Sequence, residues 1–292
     1  MKKILLILLF IFSQKLFANS EPVDISKVES KQQIFWQMED KIGATLKKYP
    51  EHNFCPIYDG IFDVNTFSIN RCRIMWILKE GYDDKDKTGN PSGGGWGILE
   101  GKNGSLGKPS NTWMKIMQFS YAVQNKMYKY QDLPEIPKTV LNDSDYGKSI
   151  RSCVYLNTNK MPGPTQSSDY SIQQNFYIWK DVLKEQISFY KPYTDIVIFG
   201  GTYKFYQYSF YDLFGFKPPY DTELQSYITK RGKKIVYGAF VDSENRLYIS
   251  AQHPATGHAT PEEYFDTLIA AIKDWEKGKL KSFTVKKTFN EN

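Results

Sequence analysis

Two hydrophobic rhythms alternate along this chain. The first has the period of a helix. Ile34, Met38, Ile42 and Leu46 recur at steps of four and predict an amphipathic helix over 32–48, ended by Pro50. The same spacing predicts helices over 112–127, with Trp113, Ile116, Met117 and Tyr121 on one face, and over 171–190. A last helix over 261–276 carries Tyr264, Leu268, Ala271 and Trp275, with Pro261 at its start. The second rhythm is a set of short, almost wholly apolar runs, as expected of strands buried on both faces. They are 73–78 (RIMWIL), 152–156 (SCVYL) and 195–199 (DIVIF), the last closed by Gly200-Gly201. Two more, 234–241 and 246–251, flank a polar turn at Asp242–Asn245. Strands alternating with helices predict an α/β fold: three layers, with a mainly parallel central sheet flanked by helices.

The N-terminus follows a different logic. Lys2 and Lys3 precede an unbroken apolar stretch from Ile4 to Phe12, too short to span a bilayer. Ala18-Asn19-Ser20 then offers small residues for a signal peptidase. Residues 1–20 therefore read as a signal peptide, cleaved after Ser20 or Ala18, which predicts an exported, periplasmic or secreted protein with no membrane attachment once cut. Residues 21–55 read as a polar, helical leader, 56–280 as the folded domain and 281–292 as a tail. Without the three lysines of the signal segment the net charge drops from +6 to +3. That mild excess does not by itself predict a nucleic-acid binder. Lys204, Lys217, Lys230, Arg231, Lys233 and Lys234 form a modest basic patch that could face a phosphate backbone. Cys55, Cys72 and Cys153 allow one disulfide plus a free thiol, with Cys55–Cys72 the nearest pair in sequence, or three buried thiols.

Several chemistries are excluded. There is no Gly-x-Ser-x-Gly nucleophile elbow, and Gly93-Gly94-Gly95 fits neither a P-loop nor a dinucleotide fingerprint. His52, His253 and His258 have no metal-ligand spacing, and Asp83, Asp84 and Asp86 do not fall in calcium-loop register. The polar segment from Gly81 to Asn111 is unusually long for a connection in a compact domain.

In a parallel sheet, ligands sit at the C-terminal ends of the strands. Here those tips read Lys79-Glu80-Gly81-Tyr82 after the first strand, and Asn157-Thr158-Asn159-Lys160-Met161-Pro162-Gly163 after the second. Gly200-Gly201-Thr202 follows the third, and Gln252-His253-Pro254-Ala255 follows the strand at 246–251. With these tips in this order, the chain resembles the uracil-DNA glycosylase superfamily, and in particular its uncharacterised bacterial glycosylase-like branch. The resemblance runs from about residue 56 to residue 276. Ile74–Tyr82 is similar to the strand and water-activating loop, and Val154–Gly163 to the segment with an Asn, a Lys and a Pro-Gly turn. Gln186–Thr202 is similar to a helix and strand of that family, and His253-Pro254-Ala255 to its terminal His-Pro-Ser motif.

The resemblance implies excision of a damaged base, usually uracil, from DNA, and no cofactor; the iron–sulfur cysteines of some members are absent. It implies His253 as donor to the leaving base, Asn157 as reader of the base edge or holder of the water, and Glu80 as the carboxylate at water or sugar. Tyr82 would stack on or gate the base. Gly163 with Pro162 would allow close approach of a phosphate. Lys79, Gly81, Lys160, Pro254 and Ala255 complete the implied binding set. The first loop departs from the family pattern, and Ala255 stands where a Ser is usual. The partner implied is DNA or another nucleobase-containing ligand, met by a monomer. Two other readings stand beside this one. One is a non-catalytic binding protein on the same fold. The other is an exported hydrolase of nucleosides or other small molecules, with Glu80 or a loop aspartate as its acid.

Overall fold

The computed structural model describes residues 21–46, 54–82, 93–95, 97–98, 110–136, 144–163, 168–201, 210–215 and 224–283. Residues 1–20 and most of Gly81–Asn111 lie outside them. Helix α1 (Ile25–Leu46) opens the described chain, followed by β1 (Gly60–Ile61), α2 (Val64–Ile69), β2 (Ile74–Tyr82), α3 (Asn111–Asn125), α4 (Asp145–Arg151), β3 (Val154–Gly163) and α5 (Asp169–Tyr190). Strands β4 (Ile196–Gly200), β5 (Gln225–Ile228), β6 (Lys234–Asp242) and β7 (Leu247–Ala251), then α6 (Pro261–Glu276) and β8 (Ser282–Phe283), complete it.

Each of α2 to α6 starts on a short polar side chain that satisfies a free backbone N–H. Asp63, Ser110, Ser144 and Ser168 cap α2, α3, α4 and α5, and Thr260 with Glu263 forms a capping box ahead of Pro261 on α6.

The strands form one mixed sheet in the order β1-β3-β2-β4-β7-β6-β5, with β8 alongside β6. Its centre, β3-β2-β4-β7, is parallel throughout. The β6–β7 pair is antiparallel, joined across the polar turn, where Arg246 pairs with Asp242 at 2.8 Å.

Helices cover both faces. One face carries Ile74, Trp76, Leu78, Ile198 and Ile249 against Met117 and Phe119 of α3 and Tyr264 and Leu268 of α6. The other carries Met75, Ile77, Leu156, Val197 and Phe199 against Phe35 of α1 and Phe176, Trp179 and Leu183 of α5. Both faces of β2 are thus covered, which explains its unbroken apolar run.

Two boundaries differ from the sequence reading. Helix α1 is no leader: Val28 and Phe35 are fully buried, and Gln32 exchanges two hydrogen bonds with the backbone of Ile61. The tail begins later than expected, because Ser282–Phe283 pairs with β6. Short elements without a strong apolar period (β1, α2, α4 and β5) were not legible in sequence.

Candidate functional site

The four parallel strands deliver their C-terminal ends to one edge of the sheet. The chain passes from β2 outward to β3, then returns past β2 to β4. The C-terminal ends of β2 and its neighbours therefore form the topological switch point, where open α/β sheets hold ligands.

Asn157 stands on this edge, in register with Leu78 of β2. It is 1% exposed, yet neither its Nδ2 nor its Oδ1 has a hydrogen-bond partner. By alternation it shares the face of Tyr155, Trp76 and Leu78. A buried amide lacking both of its bonds is costly, of the order of 1–3 kcal/mol, and marks a place where a ligand or water belongs.

His253 lies just past the end of β7, against Gly201. Gly201 makes room for it: φ is +81°, and a Cβ there would stand 2.4 Å from the His253 Cβ. This is one position that only glycine fills comfortably. The loop carrying His253 is tied down at several points. Lys115 of α3 donates to the carbonyls of Thr256 and Ala259 at 2.8 and 3.1 Å. The Tyr264 hydroxyl donates to the Gln252 carbonyl, and Thr256 Oγ1 to Gln252 Oε1.

His253 is neutral near pH 7. Burial, with the positive charges of Lys79 and Lys115, pushes its pKa down to about 4. The Ala255 N–H donates to Nδ1 at 3.1 Å, so the ring proton sits on Nε2. The backbone at Ala255 thus sets the tautomer without a serine hydroxyl. Asn157 on β3 and the Gly201–His253 contact beyond β4 are two strand spacings apart, about 10 Å.

Glu80 is in register with Asn159, and its side chain lies over Gly163; a Cβ at Gly163 would stand 2.3 Å from Glu80 Cγ. Gly163 therefore makes room for a carboxylate. The Tyr82 backbone pairs with Gly163, and its side chain lies outside the described residues. Lys79 is half-buried, and its carbonyl accepts from Thr158 Oγ1 at 2.8 Å. Gly81 faces Ile57, and Pro254 is buried against Gly200. Pro162 packs on Gly94, whose neighbours Gly93 and Gly95 also have positive φ. The glycine run crosses against Cys55 and Pro56, with Cys55 N–H donating to Gly93 O and Gly95 N–H to Pro56 O. None of the three cysteines is in a disulfide; Cys55 is exposed and the other two are buried.

Lys160 departs from its expected place at the ligand. It is fully buried on the opposite face, where Nζ meets Asp59 Oδ2 at 2.6 Å, Gln186 Oε1 at 2.9 Å and Glu39 at 3.7 Å. Alternation along β3 sends it away from Asn157. Of the basic patch, Arg231 is paired with Glu263 on α6, while Lys204 and Lys217 lie outside the described residues. Two supporting residues were missed. Lys115 had a visible signal, a lysine inside an apolar helical stretch. Asp59 had none, since its partners lie 98 and 101 residues downstream.

A cavity of about 420 Å³ opens elsewhere, between α1, β1 and α2, lined by Gln32, Trp36, Asp63 and Arg151 among others. It adjoins the start of β3 rather than the strand ends. Gln32, Trp36 and Asp63 there already hold backbone groups. Among the described residues no group of three His, Cys, Asp or Glu side chains could hold a metal, and no helix is long and apolar enough to cross a membrane. No protein-family model matches the chain, and no curated protein matches its sequence.

Proposed function

We propose that this chain is an exported N-glycosylase of the uracil-DNA glycosylase type, which removes a damaged base from DNA and acts as a monomer without a cofactor. The observation that carries this reading is the buried, unpartnered Asn157 amide at the strand ends, the same edge of the sheet that carries a neutral His253. An amide donor and acceptor together read the edge of a base flipped into the crevice. As the C1′–N bond breaks, its electron pair leaves with the base. Negative charge then grows on a carbonyl oxygen of the base, and His253 Nε2–H donates to it. The charges of Lys79 and Lys115 favour that anion. Water adds to C1′, and Glu80 takes its proton and supports the cationic sugar.

The test is an excision assay with residues 21–292 on single- and double-stranded oligonucleotides carrying one uracil. Alkali-labile strand breakage is expected. Asn157→Ala and His253→Ala should each abolish or lower it, the latter by about 10²–10³-fold, the cost of removing one oxyanion donor. No product from folded protein on either substrate rejects the enzyme reading. The second reading, a binding protein using the same site, is favoured by the low net charge left after export. Saturable binding of uracil-containing DNA without product, lost in Asn157→Ala, would select it.

A further inference from the structure

Strand β3 loses its regular neighbour just where it carries Asn157. Strand β1 pairs antiparallel with its first residues, Gly60 opposite Tyr155 and Ile61 opposite Val154. Continuing that ladder would place Tyr58 opposite Asn157. Instead Gly60 takes φ +125°, a conformation other residues rarely adopt, and the backbone leaves the strand. It returns at Ile57, whose N–H donates to the Lys160 carbonyl at 2.7 Å. In the gap stands the Asp59 carboxylate. Its Oδ2 accepts from the Asn157 backbone N–H at 2.6 Å and from Lys160 Nζ at 2.6 Å. Its Oδ1 accepts from Gln186 Nε2 at 3.0 Å, and its carbonyl from Trp36 Nε1 at 2.8 Å. A fully buried carboxylate thus replaces a ladder bond at the residue whose own amide is left open.

We propose that Asp59 is a positioning residue for Asn157, fixing the backbone from which the open amide faces the ligand, with the buried Lys160 and Gln186 holding the carboxylate in place. The inference rests on the reading of Asn157 as the ligand-facing group. An ordinary ladder bond ties a strand to a backbone free to slide with its neighbour. A carboxylate held by three donors, two of them on β3 itself, does not slide. Glu39 closes the cluster, and burial first, then the neighbouring Asp59 carboxylate, raises its pKa well above the usual carboxylate range.

The test is a mutant cycle in the full chain. Asp59→Asn/Lys160→Met removes both charges while keeping size, and Asn157→Ala is made in both backgrounds. Binding of a uracil-containing oligonucleotide and its excision are both measured. Asp59→Asn/Lys160→Met should lower kcat about tenfold at unchanged KM in the native background, or weaken binding about tenfold where the protein binds without turnover. In the Asn157→Ala background the same change should have no further effect. An undiminished loss beside Asn157→Ala, or no loss in either background, overturns the proposal. If the double substitution unfolds the chain, Asp59→Asn alone enters the same cycle. NMR of the labelled chain separates this inference from the glycosylase reading. With Asp59 removed, the Asn157 backbone N–H should move upfield and its side-chain NH₂ signals should broaden, even in a protein that excises nothing. Unchanged Asn157 signals overturn the positioning role whatever the assay shows.

Discussion

Asn157 and His253 are the two residues whose local chemistry is least explained by folding alone. The Asn157 amide is buried with neither hydrogen bond made. Asn157→Leu fills the same volume with apolar atoms, so the protein should gain about 1–3 kcal/mol in denaturant unfolding while losing ligand recognition. A loss of stability would show that the amide serves the fold. For His253, the folded pKa of about 4 lies below the unfolded value of 6.5. The unfolded chain therefore binds more protons between those values, and stability contributed by the neutral ring falls as pH drops from 6.5 towards 4. NMR of the ring nitrogens should show the Nε2–H tautomer down to pH 5, and activity should show no histidine limb between pH 5 and 8. Lys79→Ala should raise that pKa. A ring that titrates near 6.5 would contradict the geometry. Both residues stood out in sequence as polar groups after apolar runs. Their neutrality and lack of partners did not, since both follow from what packs around them.

At the scale of elements, the site is a set of strand tips held in register by turns. Gly201 is the tightest of these joints. Gly201→Ala would force an alanine to φ +81° and bring its Cβ against His253. The conformational strain alone is of the order of 1–3 kcal/mol. The variant should melt lower, and His253 should move away from the crevice, read as loss of the depressed ring pKa. An unchanged melting temperature and pKa would mean the loop adapts freely. The pair Gly200-Gly201 was visible as a strand stop. That it seats a histidine 52 residues later was not, because the contact depends on β4 and β7 being neighbours in the sheet.

For the whole molecule, the question is where the folded unit begins. Helix α1 buries Val28 and Phe35 against the sheet and places Glu39 in the cluster with Asp59, Lys160 and Gln186. Each of those apolar side chains is worth about 1.5–3 kcal/mol, against a total stability of roughly 5–15 kcal/mol. A chain starting at residue 47 should therefore show no cooperative thermal unfolding, whereas one starting at residue 21 should. Cooperative unfolding of the shorter chain would restore α1 to the status of a leader. The N-terminus of the mature protein, read by mass spectrometry after expression with its first twenty residues, tests export: it should begin at Asn19 or Glu21.

Hydrophobic periodicity by itself determined the long helices, the five core strands and their assembly into an α/β sheet. Those features need only one face or two to be dry, and that demand is written locally. The tertiary structure decided the rest. It turned β6 and β7 into an antiparallel pair and drew α1 into the core. It sent Lys160 to the opposite face from Asn157, because alternation along a strand acts on the side chain and not on the motif. It placed Asp59, a residue with no sequence signal, beneath the open amide, since a buried charge is stable only where distant parts of the chain supply its partners.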